Sequence, residues 1–508
     1  MEGNLKETLR ILWSEVFALN KEALPIFEVA YNNFFSLLEK DGLGERLHFP
    51  LRNKFFTEKI LNGWLRDYPL VFQKGITSDI NKITFVEFIS LFHPQREMRL
   101  LFDKLRRKLD LNITSVCNYN CPYCYQRSRD MNWQHHSIKA AQKEVSIEEF
   151  KRIIKEGEVL GARFLKLTGG EPLTKKGVME LLSFALDQPF YEEVELLSNC
   201  SLIPEYLEEL KRTIRGKEER FHLHTSIDGL SDKGNKNTKF SLDHFKNLEK
   251  VFIGLPGIKI SVNSMWTKSL SDEDVLMKLY KLMLKNNINR WTISFPYLVS
   301  DLRKMVGDQP DYVPDYRTVI DLCKKLIILH DKLNFPFQLS IPLVFKHEMF
   351  DEGYSVSHEC FENHPCFPCH GSYLIVGPKG EIMECLLAPP TTNANISNKS
   401  LLRAMMDSLK ENRFYSITYK KVSKKCFGCR YESLCQGQCL NDKSLSNLSF
   451  QVDNKYERDF RACSLLSLAE KEVWPLVKKD YREKMREYLN LSGFYPKVYK
   501  NISEAVKR

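Results

Sequence analysis

Short apolar segments and longer amphipathic segments alternate along the middle of the chain, between residues 105 and 320. The short segments are mostly apolar, or alternate apolar with polar residues, as buried and half-buried strands do. This pattern predicts six strands: Leu109–Thr114, Phe164–Thr168, Glu193–Ser198, His222–Ile227, Lys259–Ser264 and Arg290–Phe295.

Helices are predicted between these strands. Ser146 and Glu149 form a capping box that begins a helix ending near Leu160, and Pro204 lies in the first turn of another helix. Further helices are predicted over 177–186, over 242–252, and from the capping run at Ser271–Asp274 to about Asn286. The repetition predicts an α/β fold, a parallel sheet curled into a partial (β/α)6 barrel of the TIM type. Such barrels bind ligands at the carboxyl ends of their strands.

The segments on either side of the barrel have a different composition. Residues 1–104 carry no motif, and the near-helical spacing of Leu9, Leu12 and Val16 predicts a helical N-terminal region. Its role is open between packing on the barrel and holding a substrate. The chain after the barrel is predicted to form a helical bridge over 321–354, a small cysteine-rich domain over 355–470 and a helical C-terminal tail over 471–508. A hairpin is predicted within the cysteine-rich domain, from Tyr373–Val376 and Glu381–Met383.

Charge and composition exclude several classes of protein. The chain has 508 residues, with 75 basic and 65 acidic side chains spread along it and a net charge of +10. No basic block or nucleic-acid-binding motif is present, and no signal peptide or long apolar run predicts a membrane span. Fourteen cysteines in a chain with no export signal indicate metal binding rather than disulfides. We therefore expect a cytoplasmic protein with no nucleic-acid or membrane partner.

Three cysteines follow the first predicted strand, at Cys117, Cys121 and Cys124. Three thiolates at this spacing suit a 4Fe–4S cube, in which each thiolate binds one iron and the fourth iron stays open to a small molecule. A zinc site is the alternative, with its fourth ligand from His135 or His136 in the long loop that follows.

The second predicted strand runs directly into Gly169-Gly170-Glu171-Pro172. Glycines let backbone approach a neighbour closely, and Glu171 offers a carboxylate to an ammonium group. An ordinary turn is the alternative for this motif.

Together the two motifs resemble the radical S-adenosylmethionine (radical SAM) superfamily, including the aromatic Tyr123 before the third cysteine. The resemblance implies that SAM chelates the open iron and that electron transfer to SAM releases a 5′-deoxyadenosyl radical. That radical then takes a hydrogen atom from the substrate.

The resemblance also implies further SAM contacts at the strand ends. It assigns one to Ser226 in the Ser-x-Asp-Gly element, and weaker ones to Asn199, Asp228 and Ser294. Relatives often use an arginine for the SAM carboxylate, but the corresponding loop here offers only Lys236 or Lys239.

The later cysteines are similar in order to the SPASM extension of radical SAM proteins. That extension holds two auxiliary 4Fe–4S clusters, which gives three clusters in all. The implied ligands are Cys366, Cys369, Cys385 and Cys439 for the first auxiliary cluster, and Cys426, Cys429, Cys435 and Cys463 for the second. Cys360 competes with Cys366 for one position, while Cys200 and Cys323 are expected to be structural thiols.

These resemblances imply an enzyme that abstracts hydrogen from a ribosomally made precursor peptide and forms an oxidative thioether or C–C cross-link. A flavodoxin or ferredoxin is the expected electron donor. The alternatives are an anaerobic sulfatase maturase, disfavoured because Leu386 and not an aspartate follows Cys385, and a peptide-binding iron–sulfur protein without catalysis. The sequence singles out no general base.

Overall fold

The computed structural model describes the barrel and several segments attached to it. The described residues are 108–121, 124, 144–159, 162–189, 191–230, 238–294, 316–334, 336–341, 374–383, 394–411 and 467–476. The predicted N-terminal region, most of the cysteine-rich domain and most of the C-terminal tail lie outside them.

A single nine-stranded sheet organises the described residues, with strand order β7-β6-β5-β4-β3-β2-β1-β8-β9. All neighbours are parallel except β8 and β9, which form an antiparallel hairpin. The strands are β1 (Leu109–Thr114), β2 (Phe164–Gly169), β3 (Glu193–Leu197), β4 (Phe221–Ser226), β5 (Lys259–Met265), β6 (Arg290–Ser294), β7 (Gln338–Ser340), β8 (Leu374–Val376) and β9 (Ile382–Met383). The six predicted strands and the predicted hairpin are confirmed, and the α/β fold is a partial barrel.

Helices connect the strands. They are α1 (Ile147–Val159), α2 (Val178–Asp187), α3 (Ile203–Ile214), α4 (Leu242–Gly254), α5 (Glu273–Lys285), α6 (Tyr316–Lys332) and α7 (Leu401–Glu411). Local chemistry sets where several of them begin. Ser146 Oγ accepts the Glu149 N–H at 3.2 Å, as the capping box predicts. The N-cap of α5 is Asp272, since its carboxylate accepts the N–H groups of Asp274 and Val275.

The two faces of the sheet differ in polarity because side chains alternate along each strand. On β1, Leu109, Leu111 and Ile113 are fully buried in the apolar core that the helices cover. Asp110 and Asn112 lie between them and face the other side, the interior of the partial barrel. The barrel interior is therefore polar, although it is largely shielded from solvent.

Strands from distant parts of the chain extend the sheet at both edges. At one edge, β7 pairs with β6. At the other, β8 pairs with β1 in parallel, which attaches the described part of the cysteine-rich segment directly to the barrel. Contacts from α1 reinforce this attachment: Arg152 donates to the carbonyls of Ile396 and Lys399, and Glu156 accepts the Leu401 N–H at 2.6 Å.

Among the helices of the described residues, none combines the length and the apolar character that a bilayer span requires.

Candidate functional site

The three cysteines of the first motif lie directly beyond the carboxyl end of β1. Cys121 is buried, and Cys117 and Cys124 are half-buried. They pack in one small cluster with Tyr119 and Phe240. The first loop of the barrel thus gathers three sulfur ligands at the edge of the sheet where ligands of parallel barrels bind.

The environment of these thiols is dry, and it supplies hydrogen bonds to sulfur. Burial raises the pKa of Cys117 to about 12 and the pKa of Cys121 to about 11. The Tyr119 N–H donates to Cys117 Sγ at 3.4 Å, and the Lys239 N–H donates to Cys121 Sγ. Buried thiols stay protonated unless cations stabilise the thiolate, and bound metal ions do so.

The number and kind of ligands indicate the group that this loop could hold. A structural zinc ion takes four protein ligands, whereas the described part of this loop offers the three thiols of Cys117, Cys121 and Cys124. Three thiolates suit a 4Fe–4S cube, in which each binds one iron and the fourth iron stays open.

Gly169 and Gly170 set the position of the cysteine loop. The Gly170 N–H donates to the Thr114 carbonyl at 2.7 Å, and a Cβ on Gly170 would lie 2.2 Å from the Val116 carbonyl oxygen. A Cβ on Gly169 would lie 2.6 Å from the Thr114 oxygen. Only glycine lets the end of β2 pack this closely against the segment that leads into Cys117.

Glu171 is fully buried, and its carboxylate joins the ends of β2 and β3. Its Oε1 accepts the Ser198 hydroxyl at 2.7 Å and the Leu173 N–H at 3.2 Å, while Oε2 accepts the Asn199 N–H at 2.7 Å. Burial raises the pKa of Glu171 despite these three hydrogen bonds. A hydrogen bond from the ammonium group of SAM to Glu171 stays a prediction. The structure shows in addition that Glu171 holds the ends of β2 and β3 together.

Asn199 connects the end of β3 to the cysteine loop. Its amide donates to Asn118 Oδ1 at 2.9 Å, and Asn118 in turn donates to Ser201 Oγ at 2.7 Å. The Ser201 hydroxyl closes the ring by donating to Asn199 Oδ1 at 2.6 Å. These bonds hold the loop between Cys117 and Cys121 against the carboxyl end of β3.

Ser226 ends β4 on the same edge of the sheet, and its carbonyl oxygen accepts Nε2–H of His244 at 2.7 Å. The other ring nitrogen of His244 lies 3.2 Å from the hydroxyl of Tyr119. No sequence motif marks Tyr119 or His244, because a lone histidine on an amphipathic helix matches no pattern.

Asp228 and Lys239 provide the charged part of the site. Asp228 accepts the Met265 N–H at 2.6 Å, and its own N–H donates to the Lys239 carbonyl. Burial opposes the charge on Lys239, but the Asp228 carboxylate, and the cysteines when they are thiolates, outweigh it and raise the pKa of the ammonium group. The positively charged Lys239 side chain therefore lies near the cysteines and near the Asp228 carboxylate.

The remaining predicted contact near SAM, Ser294, ends β6, and its carbonyl accepts the Trp266 N–H at 2.7 Å. A further ion pair was not predicted: Glu144 accepts the Ser115 N–H and hydroxyl and pairs with Lys175 at 3.1 Å. It anchors the end of the long first loop beside the cysteines.

The two expected structural thiols, Cys200 and Cys323, are both fully buried.

Several other predicted residues lie outside the described residues, and their roles remain predictions. The residues outside the described ranges are Tyr123, His135, His136, Lys236, Cys360, Cys366, Cys369, Cys385, Cys426, Cys429, Cys435, Cys439 and Cys463.

A second group of potential metal ligands lies deeper in the barrel interior. Ligand atoms of Glu193, Glu195 and His222 lie within 4.8 Å of one another. Lysines already neutralise both carboxylates: Lys108 pairs with Glu195 at 2.5 Å, and Lys259 pairs with Glu193. This arrangement is an ion-pair network, and its charge balance leaves no need for a metal cation.

The chain was compared with known proteins. Residues 111–277 match the family model described as the Radical SAM superfamily. A GTP 3′,8-cyclase of Syntrophomonas wolfei is 26% identical over 181 residues, which cover 35% of this chain and 52% of that protein. A GTP 3′,8-cyclase of Clostridium perfringens is 27% identical over 206 residues, 37% of this chain and 55% of that protein. The chain thus spans about half the length of these curated relatives.

Among solved structures, anSMEcpe with bound AdoMet superimposes with a TM-score of 0.52 at 17% identity, covering 75% of this chain and 98% of that chain. Native anSMEcpe with AdoMet and the Cp18Cys peptide gives a TM-score of 0.50 at 17% identity, covering 72% and 97%. At this level of identity, the similarity concerns the fold.

Proposed function

We propose that this chain, whose residues 111–277 match the family model of the Radical SAM superfamily, is a peptide maturase that uses SAM to make an oxidative thioether or C–C cross-link in a ribosomally made peptide. The observation that carries the proposal is the set of three buried and half-buried thiols at the carboxyl edge of a polar-lined partial barrel.

The residues of the site fit the cofactors that the family uses. Cys117, Cys121 and Cys124 would hold the 4Fe–4S cluster, and Lys239 carries a positive charge that suits the carboxylate of SAM. When bound, the cluster and SAM would supply a 5′-deoxyadenosyl radical that removes a hydrogen atom from the substrate. The chain itself positions these groups through the Gly169–Gly170 approach and surrounds them with buried and half-buried side chains, which limits side reactions with water.

The strand ends would bind the rest of SAM. Ser226, Asn199 and Asp228 lie at the same edge as the cysteine loop, and each is buried. Gly169, Gly170, Glu171 and Ser294 complete the proposed set. We retain Tyr123 as a proposed SAM contact because it precedes the third cysteine.

Two features support a peptide as the substrate. The cysteines from Cys360 to Cys463 follow the order of a SPASM extension, which implies two auxiliary clusters and an oxidation that removes electrons from the substrate. In addition, anSMEcpe, which shares the fold, holds a peptide together with AdoMet. We propose a flavodoxin or ferredoxin as the reductant, in the cytoplasm.

GTP is the second candidate substrate, because the matched curated relatives are GTP 3′,8-cyclases. Those matches cover only the barrel part of the chain, whereas the cysteine-rich segment after it favours a peptide. Formylglycine formation is less favoured than either candidate, because Leu386, and not an aspartate, follows Cys385.

The test uses anaerobically reconstituted enzyme, dithionite and SAM, with three substrates in parallel. These are peptides encoded beside the gene, GTP, and a cysteine-containing sulfatase peptide. The proposal expects a flanking peptide that becomes lighter by two mass units, with one deoxyadenosine formed per product. Conversion of GTP, or of the sulfatase peptide alone, would contradict it.

The Cys124→Ala variant is the control for the cofactor. It should lose about four irons relative to wild type, since one three-thiolate cluster can no longer form. SAM cleavage should disappear with the iron. Retention of SAM cleavage would exclude the cysteine loop as the site of the chemistry.

A further inference from the structure

Two glutamate–histidine pairs lie side by side on β3 and β4, on the inner face of the barrel. Glu193 Oε1 lies 2.8 Å from Nδ1 of His222, and Glu195 Oε1 lies 2.8 Å from Nδ1 of His224. The two imidazole rings are stacked, with centroids 6.1 Å apart and planes inclined by only 7°. The two pairs have nearly the same geometry at Nδ1.

The pairs differ at the second ring nitrogen. Nε2 of His222 lies 2.8 Å from the Ser261 hydroxyl, so that nitrogen is occupied. Nε2 of His224 is buried and has no hydrogen-bond partner within the described ranges of the chain. Because Nδ1–H donates a hydrogen bond to the Glu195 carboxylate, Nε2 of the neutral ring carries a lone pair on the side of the barrel interior.

The surroundings keep His224 neutral. Burial lowers its pKa below the usual value, and the Lys166 and His222 side chains add to this effect against the attraction of Glu195. The charged groups around it come from three strands and the residue before one of them: Glu195 on β3, Lys166 on β2, Asp110 on β1 and Lys108 just before β1. Glu195 is held ionised by Lys108 and the histidine, with its pKa well below the usual value despite burial.

A second unpartnered group lies on the same inner face. Asn112 on β1 is fully buried, and neither its amide nitrogen nor its oxygen has a hydrogen-bond partner in the described part of the chain. A buried amide without partners costs free energy, so such groups in native proteins are matched by a ligand or by water. One donor and one acceptor on the same group match the N–H and C=O of a peptide bond.

The depth of these groups suits a substrate that enters the barrel below the carboxyl ends of the strands. His224 precedes Ser226 by two residues on the same face of β4, so it lies about 7 Å further into the barrel than that strand end. The strand pairings place Asn112 and His224 at the same level of the sheet, three strands or roughly 14 Å apart along it. An extended peptide segment of about four residues that crosses the barrel at this level spans both.

We propose that the Glu195–His224 pair is the general base of the reaction, and that Asn112 holds a backbone amide elsewhere along the same substrate peptide. This rests on the proposed function and adds the group that the cross-linking step requires. The product lacks two hydrogens of the peptide: one leaves as a hydrogen atom to the deoxyadenosyl group. The other leaves as a proton to Nε2 and an electron to the iron–sulfur clusters, as the new C–S or C–C bond forms. Glu195 orients the ring and stabilises the imidazolium that results.

The two histidines provide a matched pair of variants. His224→Asn and His222→Asn each keep an amide that can donate to the glutamate, but only the first removes an unpartnered nitrogen. The measurement follows deoxyadenosine and the peptide product separately, with the peptide encoded beside the gene, and records iron content and Tm for each variant.

Loss of a general base typically costs about 10²–10⁴-fold, so His224→Asn should form at least about 100-fold less product while deoxyadenosine formation stays within about threefold of wild type. His222→Asn should keep both activities within about threefold. Product formation by wild type should fall as pH drops through the pKa of His224, below about 6.5, because the protonated ring cannot accept a proton. The rate of deoxyadenosine formation should not fall in this pH range.

Asn112→Leu provides an independent readout, since it should raise the KM for the peptide while the KM for SAM is unchanged. Full product formation by His224→Asn, or equal losses in both histidine variants, would overturn the assignment while leaving the proposed function intact. A wild-type enzyme that cleaves SAM but modifies no peptide would overturn both.

Discussion

The hydroxyl of Tyr119 lies 3.2 Å from Nδ1 of His244, and the opposite ring nitrogen donates to the carbonyl of Ser226 at 2.7 Å. Because a carbonyl can only accept, the proton sits on Nε2, and Nδ1 accepts from the phenol. A single buried chain of hydrogen bonds therefore ties the loop between Cys117 and Cys121 to the end of β4.

Tyr119→Phe should lower stability, because it leaves Nδ1 of His244 buried without a donor. The expected loss of unfolding free energy is about 1–3 kcal/mol, measured by denaturant unfolding. Tyr206→Phe on α3 is the control: this tyrosine is half-buried, and a change of less than about 0.5 kcal/mol is expected. Equal effects of the two variants would mean that the chain of hydrogen bonds does not stabilise the fold.

Stability should also depend on pH through His244. Burial lowers its pKa to about 4, whereas an unfolded histidine titrates near 6.5. Between these values the unfolded state binds more protons, so stability rises with pH across this window and is complete above it. The change is about 3 kcal/mol between pH 4 and pH 7. The free energy of unfolding should be measured at pH 4 and pH 7 for wild type and for His244→Gln. The rise that comes from the histidine should appear only in wild type.

Gly170→Ala should displace the cysteine loop. Its Cβ would lie 2.2 Å from the Val116 carbonyl oxygen, and backbone cannot yield as a flexible side chain would. Overpacking of this kind costs about 1–3 kcal/mol, and we expect iron binding at the first motif to fall with it. Gly216→Ala is the control, because its positive φ makes alanine unfavourable although no atom lies within 4 Å. Iron content should drop in Gly170→Ala alone.

Lys239→Gln should weaken SAM binding if the ammonium group meets the SAM carboxylate. Charge-assisted hydrogen bonds contribute about 1.5–3 kcal/mol, which corresponds to about a 10- to 100-fold rise in the KM for SAM. Lys239→Arg should keep most of the affinity, since it preserves the charge. Lys246→Gln on α4, whose side chain is exposed, should change nothing. An unaltered KM in Lys239→Gln would assign the carboxylate contact to another group.

Periodicity predicted the barrel well because each strand has one face against the helices. The apolar residues of β1 and β4 alternate with polar ones, and the predicted strands agree with the observed ones to within about a residue or two. The strand β7 was missed because three residues carry too little pattern. Pairing of β8 with β1 was missed because no local signal encodes a partner so far away in the chain.

The site was predicted only where a motif exists. Cys117 and Gly170 were found through their motifs and Ser226 through the family resemblance, and the structure brings all three to one edge of the sheet. By contrast, His224 and Asn112 were not identified, although the inner-face alternation places polar residues at both positions. Their significance depends on which buried atoms lack partners, and a sequence does not contain that information.

The pairing of β1 with β8 has a consequence during synthesis. Roughly 260 residues separate the two strands, and at about 5–20 residues per second the ribosome needs some 13–50 s to deliver the second after the first. Until then one edge of β1 offers unpaired N–H and C=O groups to any other strand. A nascent chain of this protein would thus benefit from a chaperone that holds it, and gene truncations ending before Leu374 should yield inclusion bodies rather than a free barrel.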